Sequence, residues 1–108
     1  LVPFMSQRRA YAEPALVDIV CGCVLLVPVS IWQSLRGLDE RFLFYFEDTD
    51  FAVRARRLSI PCYVYPDPRL HVWHKVSGSF RKQGGWDRQY RFLSSQILFI
   101  RSHYRGLS

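Results

Sequence analysis

The sequence is poor in several things at once. It has three cysteines, Cys21, Cys23 and Cys62, an odd number in no regular framework. That excludes a disulfide-stapled scaffold and fits free thiols in a reducing compartment. The longest apolar run, Ile19–Val29, has 11 residues and is broken by Gly22 and Pro28. A bilayer-spanning helix needs about 20, so no transmembrane segment is expected. Residues 1–14 place Arg8 and Arg9 after an apolar start and lack the signal-peptide order. No glycine-rich phosphate loop is present, since Gly84-Gly85 lacks both a following Lys-Ser/Thr and a preceding strand. No serine elbow and no spaced Cys–His pair points to nucleophilic catalysis. Internal repeats and low-complexity segments are missing too.

Acid is scarce in one region only. Residues 69–108 carry eight basic side chains and one acidic one, net +7, whereas residues 1–68 carry seven and eight, net −1. The whole chain of 108 residues has a net charge of +6, is 49% hydrophobic and 16% aromatic. This composition excludes a disordered tail and is enough for one small core, hence one domain. The basic third either faces an anionic partner or is a solvated helix face. One function class is therefore a non-catalytic basic module binding an anionic membrane surface or another polyanion. Nucleic acid is not expected, because Trp86, Tyr90 and Tyr104, which would stack on bases, read as core.

The order of elements is mixed α and β. Residues 1–14 read as a loop or arm. Val17–Val27, β-branched around Cys21-Gly22-Cys23, reads as a buried strand, with Gly22 marking a bulge or a close backbone approach. Ser30 is a candidate N-cap for a helix over Ile31–Arg36, and Gly37 its C-cap. Leu38–Phe46 is irregular and aromatic. A second helix is predicted from Glu47–Thr49 to about Leu58, with Pro61 barring its continuation. Cys62–Tyr65 reads as a short strand, Pro66-Asp67-Pro68 as a turn, Arg69–Trp73 as another extended segment and Ser77–Gly85 as loop. The last element has the strongest periodicity. Trp86, Tyr90, Leu93, Ile97, Ile100 and Tyr104 recur at intervals of 4, 3, 4, 3 and 4, so one helix face carries six large apolar side chains. Arg88, Arg91, Ser95, Ser102 and Arg105 fall on another face.

Chemistry concentrates in Phe44-Tyr45-Phe46-Glu47-Asp48-Thr49-Asp50. Three acids at a helix start satisfy free N–H groups and the helix dipole. The wheel separates them further. Asp48 shares a face with Phe51, Ala52 and Ala55, where desolvation favours a general base. Asp50 lies four residues before Arg54 and reads as its structural ion pair. Asp48-Thr49-Asp50 is also D-x-D, but residues i and i+2 of a helix point about 200° apart, so the two cannot chelate one ion. His71 and His74 flank Val72-Trp73 on opposite faces of an extended segment. Zinc on Cys21, Cys23 and a histidine lacks a fourth ligand.

Four stretches then carry a resemblance. They are Gly22-Cys-Val-Leu-Leu-Val-Pro, the run from Gly37-Leu-Asp-Glu-Arg-Phe through Glu47-Asp-Thr-Asp-Phe to Arg57, Tyr65-Pro-Asp-Pro, and Val72-Trp-His-Lys-Val-Ser-Gly-Ser79. In this order they resemble the C-terminal, acceptor-side half of a family 2 inverting glycosyltransferase. The rhamnosyltransferase-like and galactofuranosyltransferase-like branch is nearest.

The resemblance implies an α/β fold of partial GT-A type: a short mixed sheet, flanking helices and a long amphipathic C-terminal helix, with 1–108 as a single acceptor-binding domain. It implies transfer of a sugar from a nucleotide-sugar donor to a saccharide or lipid-linked acceptor. Asp48 would be the general base, Glu47 and Trp73 would bind the acceptor, and His74 would help hold a Mg²⁺ or Mn²⁺ ion on the donor diphosphate. Asp39 and Glu40 would fix the preceding loop. The family's nucleotide-binding half and its metal-binding D-x-D are not in these residues, so the metal is expected to bind only with that half, and the isolated chain is expected not to turn over. Further expectations are a cytoplasmic location, peripheral at the inner face of the plasma membrane, and a homodimer through exposed edges.

Overall fold

The structure, a computed structural model, describes residues 11–73 and 85–104. The elements in chain order are β1 (Ala15–Leu16), α1 (Val29–Ser34), α2 (Glu47–Arg57), β2 (Tyr63–Val64) and α3 (Gly85–His103). β1 and β2 form a two-stranded antiparallel ladder with Ala15 opposite Val64 and Leu16 opposite Tyr63. The Val17 N–H donating to the Cys62 carbonyl extends it at 2.9 Å. Mixed α and β is therefore observed, with far less sheet than expected.

The strand expected over Val17–Val27 does not form. Only Ala15–Leu16 pairs, and Gly22-Cys23 turns. β-branched residues supply strand preference, but a strand needs a partner, and among the described residues only two positions of each strand find one. Arg69–Trp73, read as a strand or an extended segment, forms no strand. The turn beside it forms one residue later than expected, where Asp67 accepts the N–H groups of Arg69 on its side chain and Leu70 on its carbonyl. Pro68 occupies the second turn position, which suits its fixed φ.

The first helix starts two residues earlier than expected, after Pro28, with no side-chain cap. It ends in a Schellman motif, the Gly37 N–H reaching the Trp32 carbonyl and the Arg36 N–H reaching that of Gln33. Arg36 and Gly37 both have positive φ. Gly37 is required, since a Cβ there would lie 2.9 Å from the Trp32 ring. The predicted second helix matches α2. Acids fill its first turn and Arg54, Arg56 and Arg57 its last, complementing the dipole at both ends.

The core lies between α1 and α2. Leu35, Phe51 and Ala55 are buried, with Leu25, Val27, Ile31 and Ile60 packed around them. Trp32 stacks on Phe51 at 5.6 Å. Arg54 ties the two helices together. Its Nη1 and Nη2 donate to the Leu35 and Gly37 carbonyls, its Nε to Asp50, and its guanidinium lies over Phe51.

α3 docks by a different face from the one its periodicity suggested. Trp86 is 90% exposed and Tyr90 72%, and Leu93, Ile97, Ile100 and Tyr104 are exposed as well. The buried residues are Ser95 and Phe99. Phe92 packs on Tyr45 and Phe46, Phe99 on Phe46, and the Ser95 hydroxyl donates to the Phe44 carbonyl at 2.7 Å. The tertiary partner of this helix is the aromatic loop before α2, whose rings meet the second, narrower apolar row.

Candidate functional site

The centre is the N-terminus of α2. The chain enters it through Tyr45 and Phe46, both left-handed, at φ 65° and 67°. Two consecutive non-glycine residues in that region cost of the order of 1–3 kcal/mol each. The contacts of Phe44, Tyr45 and Phe46 with α3 hold them there. This entry sets Glu47 and Asp48 on the first turn.

Asp48 is half-buried. Its Oδ2 accepts the Gly22 N–H at 2.9 Å, and its Oδ1 accepts the Thr49 N–H at 2.7 Å and the Thr49 hydroxyl at 3.2 Å. Gly22 is the close backbone approach expected from the sequence, and its target is this carboxylate. A Cβ at Gly22 would meet the Asp48 Cβ at 3.3 Å. Asp48 thus caps the start of α2 and holds the Gly22 turn at the same time. Beside it, the Glu47 Oε2 is buried without a hydrogen-bond partner among the described residues. A buried carboxylate oxygen without a donor is costly and rare in a native structure.

Asp50 turns away from this pair. It is 2% exposed and receives Arg54 Nε on Oδ2 at 2.7 Å, as the i,i+4 spacing predicted. Its other oxygen lies 2.7 Å from His103 Nε2 on α3, a residue sequence reasoning missed. A signal existed: Phe92, Ser95, Phe99 and His103 recur at 3, 4 and 4 along the helix, a second stripe behind the conspicuous one. With both Asp50 oxygens engaged by Arg54 and His103, Asp48 and Asp50 do not form a chelating pair. Among the described residues no group of three or more His, Cys, Asp or Glu is arranged to hold a metal ion.

Trp73 is 95% exposed, so its indole forms no packed wall in this structure. His74 lies outside the described residues, as do 1–10 of the expected arm, most of the Ser77–Gly85 loop, and Arg105. Asp39 does fix its loop: its carboxylate takes the Arg41 backbone N–H and guanidinium, and that guanidinium holds the acid below its ordinary range. Of the basic stripe, Arg88 is exposed, whereas Arg91 pairs with Asp87 at 2.8 Å. The sulfurs of Cys21 and Cys23 lie 3.4 Å apart, and that contact raises the Cys23 thiol above its usual range. A groove of about 620 Å³ runs past Thr49, Val53, Arg56, Phe99 and Tyr104.

The chain is similar to the low-salt glycan biosynthesis hexosyltransferase Agl10 of Haloferax volcanii. The two are 27% identical over 105 residues, which cover 94% of this chain. The chain spans about a third of that relative's length, 34%. No family model matches the sequence, and no solved structure matches it.

Proposed function

We propose that this chain is the acceptor-side part of an inverting glycosyltransferase, with Asp48 as its general base. The observation that carries the reading is the pair at the start of α2, a carboxylate oriented by the Gly22 N–H next to the unpartnered, buried Glu47 oxygen. The likeness to a hexosyltransferase supports it. Transferases of this kind use a nucleotide sugar and an acceptor hydroxyl. A strong acceptor such as Glu47 orients a sugar hydroxyl by taking its proton in a hydrogen bond, and that bond relieves the burial of its oxygen.

The step follows from these positions. An acceptor hydroxyl within about 3 Å of Asp48 loses its proton to the carboxylate as its oxygen attacks the anomeric carbon. The new glycosidic bond forms as the bond from that carbon to the nucleoside diphosphate breaks, and attack from the opposite face inverts the centre. Oδ2 gives one of its two lone pairs to Gly22 and retains one for the proton. Asp50 takes no part, its two oxygens being held by Arg54 and His103. The assignment of Trp73 to the acceptor, of His74 to a Mg²⁺ or Mn²⁺ ion and of the protein to the cytoplasmic side of a membrane rests on the sequence resemblance. The fit of a metal to the described acids is poor, and none of the chemistry assigned here to Glu47 and Asp48 passes through one.

Titration of hexoses and short oligosaccharides into the chain, followed by amide NMR, tests this. Acceptor binding is expected to shift the Gly22 and Thr49 amides, and Glu47→Gln is expected to weaken it about 10-fold. Unmoved amides with every saccharide would defeat the proposal. So would acceptor binding that neither Glu47→Gln nor Asp48→Asn weakens.

A further inference from the structure

α3 carries two apolar faces, and the body of the protein covers one. At about 100° per residue, Ser95, Phe92 and Phe99 lie on the side that meets the Phe44–Phe46 loop. The row Trp86, Tyr90, Leu93, Ile97, Ile100 and Tyr104 lies on the far side, 38% to 90% exposed. Contiguous exposed apolar surface of this kind marks an interaction site. Its pattern says which kind. Alternating steps of 4 and 3 restrict the row to a narrow seam, the a and d positions of a coiled coil. A membrane-bound helix would favour a wide apolar face with basic flanks. Here the flanks are Gln89 and Gln96 on one side, and Asp87, Ser94 and Arg101 on the other.

We infer that the occupant of this seam is α3 of a second copy of the chain, running antiparallel. The row is self-complementary under a two-fold axis, as a symmetric dimer requires. Reversal places Trp86 level with Tyr104 of the second copy, Tyr90 with Ile100, and Leu93 with Ile97, so every large side chain meets another. It also sets like flank against like flank. Asp87 at one end then comes within about 3 Å of the level of Arg101 of the second copy, and the same contact repeats on the other end. A parallel pair would instead set these charges against glutamines. The two bodies sit on the outer sides of the helix pair, where neither blocks the seam. This inference does not depend on what the Glu47–Asp48 site binds.

Sedimentation equilibrium of the chain over a range of concentrations is expected to show a monomer–dimer equilibrium. Leu93→Glu with Ile97→Glu is expected to weaken it by about 100-fold or more, as loss of two central anchors does. Far-ultraviolet dichroism of that variant checks that α3 persists. Asp87→Arg and Arg101→Asp, each exchanged alone, are expected to weaken the dimer, and together to restore it. A chain that remains monomeric at the highest concentration overturns the inference. So does a dimer indifferent to the glutamates, or a double exchange no better than the single ones. Binding of the monomer to anionic phosphatidylglycerol vesicles, lost in the glutamate variant, would assign the seam to a lipid surface and overturn it too.

Discussion

At the residue scale the main division is between two aspartates two positions apart. Asp48 is half-buried and holds Gly22 and Thr49, while Asp50 is enclosed by Arg54 and His103. Breaking a buried ion pair by removing one partner costs about 3–5 kcal/mol, because the remaining charge is stranded. Asp50→Ala strands Arg54 and removes the tie to His103, so its thermal midpoint is expected to fall sharply, whereas Asp48→Asn, which gives up one of two backbone hydrogen bonds, is expected to lower it less. A calorimetric scan that ranks the two variants the other way would contradict this assignment. Asp39 gives a pH signature. Arg41 holds its pKa below the usual value near 4, so its contribution is present above that value and lost as pH falls through the lower, folded-state value. The stability gap between the chain and Asp39→Asn is expected to be small and to close as pH drops below about 4. Burial pushes the Cys62 thiol up. Its alkylation by iodoacetamide near neutral pH is therefore expected to lag behind that of free glutathione.

At the element scale, ends and faces matter more than helix content. α2 closes with a Schellman motif in which Ser59 is left-handed at φ 58°, its N–H on the Arg56 carbonyl and the Ile60 N–H on that of Ala55. A glycine there loses the side-chain penalty, so Ser59→Gly is expected to stabilise the chain by about 0.5–1 kcal/mol, read from the urea midpoint. Gly37→Ala is expected to do the opposite, since it meets both a positive φ and the Trp32 ring. α2 was legible in the sequence because acids, the Asp50–Arg54 spacing and Pro61 coincide there, and α1 was legible from the Gly37 that ends it, although the expected Ser30 cap is not used. The strand expected over Val17–Val27 does not form. β-branched residues state a preference for extension, and whether an edge lies alongside is decided by chain segments distant in sequence.

At the scale of the whole molecule, α3 shows why period and face are separate questions. The 4, 3, 4, 3, 4 spacing correctly announced a helix with an apolar stripe, but the body packs against Phe92, Ser95 and Phe99 instead. A helix wheel orders residues around an axis and carries no information about where the neighbour lies. The same holds for the site. The sequence by itself determined the acidic helix start, the Asp50–Arg54 pair and the helix stop at Gly37, since each follows from local spacing or local backbone preference. Only the tertiary structure decided that Gly22 serves Asp48, that His103 closes on Asp50 across 53 positions, and that the larger stripe of α3 faces outward. Those are contacts between segments far apart along the chain, fixed by which surfaces bury together, and no local rule specifies them.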